Sequence, residues 1–519
     1  MKRRDLQILA LLMLVFAATV VSTCSRRTER APNVVFIFAD DLGYGDVGAF
    51  NPDSKIPTPH IDRLARQGIR FTDAHAPASV CVPSRYGLLT GRHMFRNRRV
   101  FTKEALIEPG RLTLASLLKR AGYTTAMIGK WHLSFEGGGL NPGGGPSRGK
   151  EFDYANPLRG GPTDHGFDSF FGMHASLDVP PYFFIENDRV VEAPAAIIEE
   201  HHTAGVRSIQ GEFWRGGAIA SDFKHEKILS RFAERAMKYL ESQAGSQQPF
   251  FLYFALTAPH PPWLPIERFR GKSGAGTYGD FVMQVDDVVG RVVAALEKAG
   301  KTSDTLVIFT SDNGPTWYTD DIQKYGHRAV GGFRGMKADV WEGGHRMPFI
   351  ARWPGKIAAG ASSALLVSFT DMLATFASLT GQKLPEGAGE DSFDVLPVLL
   401  GKSSKPIRET IVHEATWPSG MLAIRQGNWK LIPWLGEKSV FEGFDARGGF
   451  TPPSPEAAKP GGPQGQLYNL ADDPGEQKNM YAKHPEVVRR LTGLLEQYRR
   501  EGRSRPISAF RQVAHSGLR

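Results

Sequence analysis

Four short, unbroken apolar runs, Val34 to Phe38, Thr124 to Ile128, Phe250 to Ala255 and Thr305 to Thr310, stand far apart in a chain of 519 residues. Runs of this length without polar alternation mark strands buried on both faces, which occur in parallel sheets covered by helices. Between and after them lie segments with helical spacing of apolar residues: Leu112 to Arg120, Glu226 to Ser242, Tyr278 to Lys298, Val367 to Leu379 and Pro485 to Arg499. Their lengths suit crossovers between parallel strands. The expected fold is therefore α/β, a large, mostly parallel sheet sandwiched by helices over residues 32–405. A smaller α+β domain with a basic tail is expected over 406–519, where the character of the chain changes. Chain length permits one large core and a smaller second one. The Gly-rich stretch Gly137 to Gly149 and the Pro/Gly-rich stretch Thr451 to Gly465 read as loops, and no internal repeat is evident.

Ligands of open α/β sheets bind beyond the carboxyl ends of the strands. The first run leads into Asp40-Asp41 and the fourth into Asp312-Asn313. Side by side, these pairs would offer four hard oxygen donors, a set suited to Ca²⁺ or Mg²⁺ rather than zinc. Asp and Asn are also ordinary turn and cap residues, so either pair alone would mean little. The other two runs supply cationic groups, Lys130 and His132 after the second and His260 after the third, while Lys337 follows the Asp312 pair. Carboxylates and bases on one edge are what an anionic ester and a metal would require.

Cys81 opens Cys81-Val82-Pro83-Ser84-Arg85, followed by Tyr86-Gly87-Leu88-Leu89-Thr90-Gly91-Arg92. The only other cysteine, Cys24, lies beside the N-terminal apolar stretch, so Cys81 is expected to be free. A free cysteine is most simply a small buried hydrophobe. Pro83 nevertheless places Cys81 at a helix start, where unpaired N–H groups favour negative charge.

This motif resembles the signature of the type I sulfatases, an arylsulfatase-like family of the alkaline phosphatase superfamily. In that family the cysteine of C-x-P-S-R is oxidised to Cα-formylglycine. The resemblance runs from about Pro32 to about Met480, and Gln466 to Pro474 is similar to the family's closing segment. It implies an alkaline phosphatase-like fold and a sulfuric ester hydrolase holding one Ca²⁺ through Asp40, Asp41, Asp312, Asn313 and the formylglycine made from Cys81. Arg85 and Lys130 would hold the aldehyde hydrate, and His132 would take its proton. His260 and Lys337 would bind the sulfate and the leaving group, with Asp312 a candidate for activating the nucleophile. In the implied mechanism one hydroxyl of the hydrate attacks sulfur, giving a covalent sulfo-enzyme, and the other expels sulfate. One departure is His345 in Glu342-Gly343-Gly344-His345-Arg346, where many relatives carry an aliphatic residue; it reads first as a satisfied structural histidine and second as a substrate contact.

The N-terminus carries Lys2-Arg3-Arg4, an apolar stretch from Ile8 to Val21, then Ser22-Thr23-Cys24. It reads as a signal peptide over residues 1–24, and the apolar stretch is shorter than the roughly 20 residues of a membrane span. Val21 to Cys24 resembles a bacterial lipobox, which would put a lipid anchor on Cys24, although Thr23 stands where Gly, Ala or Ser is usual. The chain is thus expected to be exported: periplasmic, anchored to the outer membrane, or secreted. Its net charge of +9 is spread along the sequence, with clusters at Arg96 to Arg99 and Arg499 to Arg505. No zinc-finger, RNA-binding or basic aromatic-interleaved pattern accompanies that charge, so no nucleic-acid partner is expected.

The resemblance makes a sulfated carbohydrate the expected substrate, with a galactose or N-acetylgalactosamine unit as first candidate, and a formylglycine-generating enzyme the expected maturation partner. Candidate sugar contacts are His174, Asp178, Tyr182, Trp317, His345 and Trp417. Two alternatives stay open. A phosphonate monoester or phosphodiester hydrolase shares the fold and nucleophile, and a catalytically silent glycan-binding relative would share the fold alone.

Overall fold

A computed structural model of the chain describes residues 31–99, 104–137, 140, 152–206, 209–415, 421–433 and 462–506. The signal segment with Cys24, most of the two Gly-rich stretches, Trp417 and the end of the basic tail lie outside the described residues. No helix among those described is long and apolar enough to cross a membrane. The described residues from Asn33 onward form one compact unit.

The four apolar runs are strands β1 (Asn33–Asp40), β2 (Thr124–Lys130), β3 (Phe250–Pro259) and β4 (Thr305–Ser311). They sit together in a ten-stranded sheet in the order β4-β1-β3-β2, with Ser169–Met173 beyond β2, and these five strands are parallel. Outside β4 lie Phe349–Arg352, Ile69–Phe71 and Ala361–Ser363. Outside Ser169–Met173 lie Ile185–Glu186 and Arg189–Val190. Antiparallel pairs occur only toward these two margins.

Alternate residues of β3 show that both faces are covered. Phe250 packs edge-on against Tyr239 of the helix Ile228–Ser242, whereas Phe251 packs against Phe376 of the helix Met372–Leu379. Successive strand side chains point to opposite faces, so the two helices lie on opposite sides. Val34 through Ala39 are completely buried, and each large apolar side chain so placed contributes about 1.5–3 kcal/mol.

Each strand runs past its apolar core, and β1 takes in Asp40 itself. The helix starts also differ from their sequence pattern for local reasons. Thr113 caps Leu114–Arg120 by accepting from the Ser116 N–H, which shortens the expected helix by two residues. Ser368 and Asp371 bond each other's backbone, so Val367–Ser368 is strand, Phe369–Asp371 a 3-10 turn, and the α-helix begins at Met372.

Beyond residue 406 a four-stranded antiparallel sheet follows, Thr410–Glu414, Leu422–Gln426, Trp429–Ile432 and Gln466–Asn469. The helix Pro485–Glu501 packs on it through Val487, Leu491 and Leu495. Glu414 continues the first of these strands along residues 77–79: its N–H donates to Pro77 O and its carbonyl accepts from Ser79 N. That strap leads directly into Cys81.

Candidate active site

Register brings the strand-end residues level. Ala39 pairs with Ser311, Asp40 lies beside Pro259, and Gly129 beside Ala255. The residues that follow therefore meet at one edge. Gly129 has φ +112°, and a Cβ there would lie 1.8 Å from the Ala255 carbonyl oxygen, so only glycine lets β2 end this close to β3.

Cys81 begins the helix Cys81–Thr90, which is buried on every side and closed by Gly91 in the left-handed region. Pro83 falls in the first turn, where its missing N–H costs nothing. Cys81 is free and buried, and that burial pushes its thiol pKa up. Its Sγ lies within 4.8 Å of a carboxylate oxygen of Asp40 and of Asp312, which are equally close to each other.

The basic residues interleave with these carboxylates. Arg85 donates to Asp312 Oδ2 from Nη2 at 2.7 Å and from Nε at 3.1 Å, and to the Lys130 carbonyl at 3.2 Å. Lys130 Nζ lies 2.7 and 2.9 Å from the two oxygens of Asp40, and Lys337 Nζ 2.7 Å from Asp41 Oδ2. His260 Nε2 faces that same Asp41 oxygen at 3.8 Å, while its Nδ1 donates to Pro261 O. Burial alone would raise Asp40, but Lys130, His260 and Arg85 hold it well below the usual carboxylate range. Asp312, buried beside the Asp40 charge, is pushed up to about 7. Burial and Lys337 hold the His260 imidazole down. Asp41 and His132 have φ of +66° and +60°, conformations that cost about 1–3 kcal/mol and cluster at functional sites.

Asn313 supplies the most telling detail. Its Nδ2 donates to Asp41 Oδ1 at 2.7 Å and to Gly314 O at 2.9 Å, which fixes the amide's orientation. Its Oδ1 is buried without a hydrogen-bond partner. An orphaned oxygen beside three carboxylates fits a hard cation.

Of the sugar-contact candidates, Asp178 reaches this edge. It is buried and pairs with Arg215 through Oδ2, and its partnerless Oδ1 lies 3.8 Å from His260 Nδ1. His174 is buried four residues before it, with Nε2 bonded to Pro181 O. Tyr182 is fully buried and donates to Arg215 O, and Trp317 donates to His327 O.

His345 is not brought to the cluster. Its ring stacks on His413 at 3.6 Å, bonds His75, and meets Lys430 in the seam with the C-terminal sheet. Parallel rings that far apart keep their in-plane lone pairs in separate planes, so these two histidines do not converge on one ion. The many-partnered packing explains a histidine where an aliphatic residue is common.

Sequence reading missed Arg215, which carries no motif, and the Asp46, Tyr278 and His327 group behind Asp41. The tight Gly43-Tyr44-Gly45-Asp46 turn was the available signal for the latter.

The chain is similar to sulfatases across most of its length. Residues 32–382 match the family described as Sulfatase. An N-acetylgalactosamine-6-O-sulfatase of Bacteroides thetaiotaomicron is 35% identical, over 94% of this chain and 98% of that protein. Arylsulfatase A of Homo sapiens is 32% identical, over 90% of this chain and 87% of its own. A solved B. thetaiotaomicron 6S-sulfatase structure, from work on glycosaminoglycan metabolism, superposes with TM-score 0.76 at 34% identity, covering 91% of this chain and 100% of that one. A phosphonate monoester hydrolase of Agrobacterium radiobacter shares the fold, with TM-score 0.58 at 18% identity.

Proposed function

The chain belongs to the sulfatase family and is a sulfuric ester hydrolase; from that premise we propose that it removes sulfate from a sulfated glycan, with 6-sulfated N-acetylgalactosamine or galactose units as first substrates. The meeting of four oxygen-donor side chains, Cys81, the buried Arg85, Lys130 and His260 and the half-buried Lys337 at one sheet edge carries this reading.

Asp40, Asp41, Asp312 and Asn313 Oδ1 would hold one calcium ion, together with an oxygen at position 81. The hydrate of formylglycine would supply a nucleophilic oxygen in place of sulfur, and calcium would supply positive charge for the ester's anionic oxygens. With Asp312 ionised on metal binding, the three carboxylates (Asp40, Asp41, Asp312) would balance three cations (Arg85, Lys130, Lys337), and the dication would leave a positive site suited to a sulfate monoester.

The remaining work falls to the chain's own groups. Lys337 Nζ and His260 Nε2 face one oxygen of Asp41, so both can reach a single sulfate group. Lys337, whose Nζ lies 2.7 Å from Asp41 Oδ2, is assigned the proton taken by the departing alcohol. Arg85 and Lys130 brace Asp312 and Asp40 and orient the group at position 81. His132 is assigned the proton released at that position. Asp178 Oδ1 is assigned a sugar hydroxyl beside the sulfate.

Sulfate release from 6-sulfated N-acetylgalactosamine, 6-sulfated galactose and 4-sulfated N-acetylgalactosamine tests the substrate. Preference for the 4-sulfate would overturn the assignment. Export with lipid on Cys24 is tested by membrane partition of the wild type against Cys24→Ser; equal partition would leave a soluble exported enzyme.

A further inference from the structure

Behind the Asp40-Asp41 pair lies a buried polar group built from Asp46, Tyr278 and His327. Asp46 and His327 are fully buried and Tyr278 nearly so. Asp46 Oδ2 accepts from the Gly43 N–H at 2.7 Å and from the Tyr278 hydroxyl, and Oδ1 accepts from His327 Nε2 at 2.7 Å. The Lys55 N–H points at His327 Nδ1 at 3.3 Å, which leaves the ring proton on Nε2, facing Asp46. The Tyr278 hydroxyl also lies 3.4 Å from the carbonyl oxygen of Asp41. Trp317 locks the group from outside, packing on Tyr278 at 4.9 Å and donating to the His327 carbonyl at 3.0 Å.

One carboxylate thus ties down the turn that follows Asp41. That residue's left-handed backbone is unfavourable for a side chain and persists only where its surroundings impose it. Asn313 and Lys337 grip the Asp41 carboxylate itself, while Asp46 and Tyr278 are placed to hold the main chain on its far side. Releasing the turn would let Asp41 relax and swing its carboxylate away from Asp40 and Asp312.

We propose that Asp46, with Tyr278 and His327, is a positioning unit that holds Asp41 in its ligand-presenting conformation and so sets the calcium affinity of the site. The inference rests on the calcium reading above. It adds residues that touch neither the ion nor the substrate.

Calcium binding to the full-length mature protein, followed by calorimetry, tests it with Asp46→Asn, Tyr278→Phe and His327→Gln. Asp46→Asn places N–H groups where three donors converge, and its calcium affinity is expected to fall about 10- to 100-fold, the usual cost of losing a group that orients a metal ligand. Tyr278→Phe, the conservative change, is expected to shift affinity in the same direction, and turnover in both should recover at saturating calcium. If Asp46→Asn does not fold, Tyr278→Phe and His327→Gln decide the matter. Wild-type calcium affinity in the folded variants, whatever happens to their melting temperature, would overturn the proposal. A wild type that hydrolyses sulfate esters without binding calcium would instead overturn the metal assignment on which it stands.

Discussion

Lys130 grips Asp40 from two strands away: its Nζ reaches over the end of β3 to both carboxylate oxygens, at 2.7 and 2.9 Å, and both side chains are shut off from solvent. Removing one partner of a buried pair leaves an uncompensated charge and costs about 3–5 kcal/mol. Lys130→Met should therefore lower the melting temperature of calcium-free protein and abolish sulfate release. Calcium, which also neutralises Asp40, should restore part of the stability and none of the turnover. Thermal melts with and without calcium check this, and an unchanged melting temperature in its absence would refute it.

Chelation bears on the oxygen-donor set. EDTA should stop turnover, with recovery by Ca²⁺ or Mg²⁺ and not by Zn²⁺, because the donors are hard oxygens. Asn313→Ala should need more calcium for half-maximal recovery, since the orphaned Oδ1 is removed. Equal recovery in variant and wild type would remove Asn313 from the ligand set.

These relationships show what was legible in the chain. Asp40, Asp312, Lys130 and His260 could be placed because each lies a few residues past a buried apolar run, and parallel strands bring their carboxyl ends to one edge. Cys81 could be placed because Pro83 marks a helix start. A structural role for His345 was also legible, but its partners His75 and His413 were not, since they come from distant segments that meet only in the folded chain. The strap between Glu414 and residues 77–79 was hidden for the same reason. Asp46 lay within reach, six residues beyond Asp40, yet its partners Tyr278 and His327 are more than 230 residues away.

His345 gives a prediction that separates packing from substrate contact. Lys430 Nζ sits among Glu342, Glu476 and His345, at 3.0, 2.9 and 3.1 Å. His345→Leu and Lys430→Met should both lower stability in denaturant titrations, Lys430→Met by about 3–5 kcal/mol. KM should not change in His345→Leu. A raised KM with undiminished stability would return His345 to the substrate.

Glu414 carries a pH signature. Burial pushes its carboxyl from 4.5 up to about 8. A folded-state pKa above the unfolded one contributes stability that is complete below about pH 4.5 and lost as pH rises toward 8, by at most about 1.4 kcal/mol per pH unit. Glu414→Gln removes this dependence, so the stability of the variant relative to wild type should rise with pH across that window. A difference that stays flat from pH 5 to 8 would contradict the buried neutral acid.

The most direct test is turnover of an aryl sulfate and an aryl phosphodiester by protein co-produced with a formylglycine-generating enzyme, beside Cys81→Ala. The site predicts preferential sulfate release that vanishes in Cys81→Ala. Preferential phosphodiester cleavage, or sulfate release that survives the loss of Cys81, would contradict it.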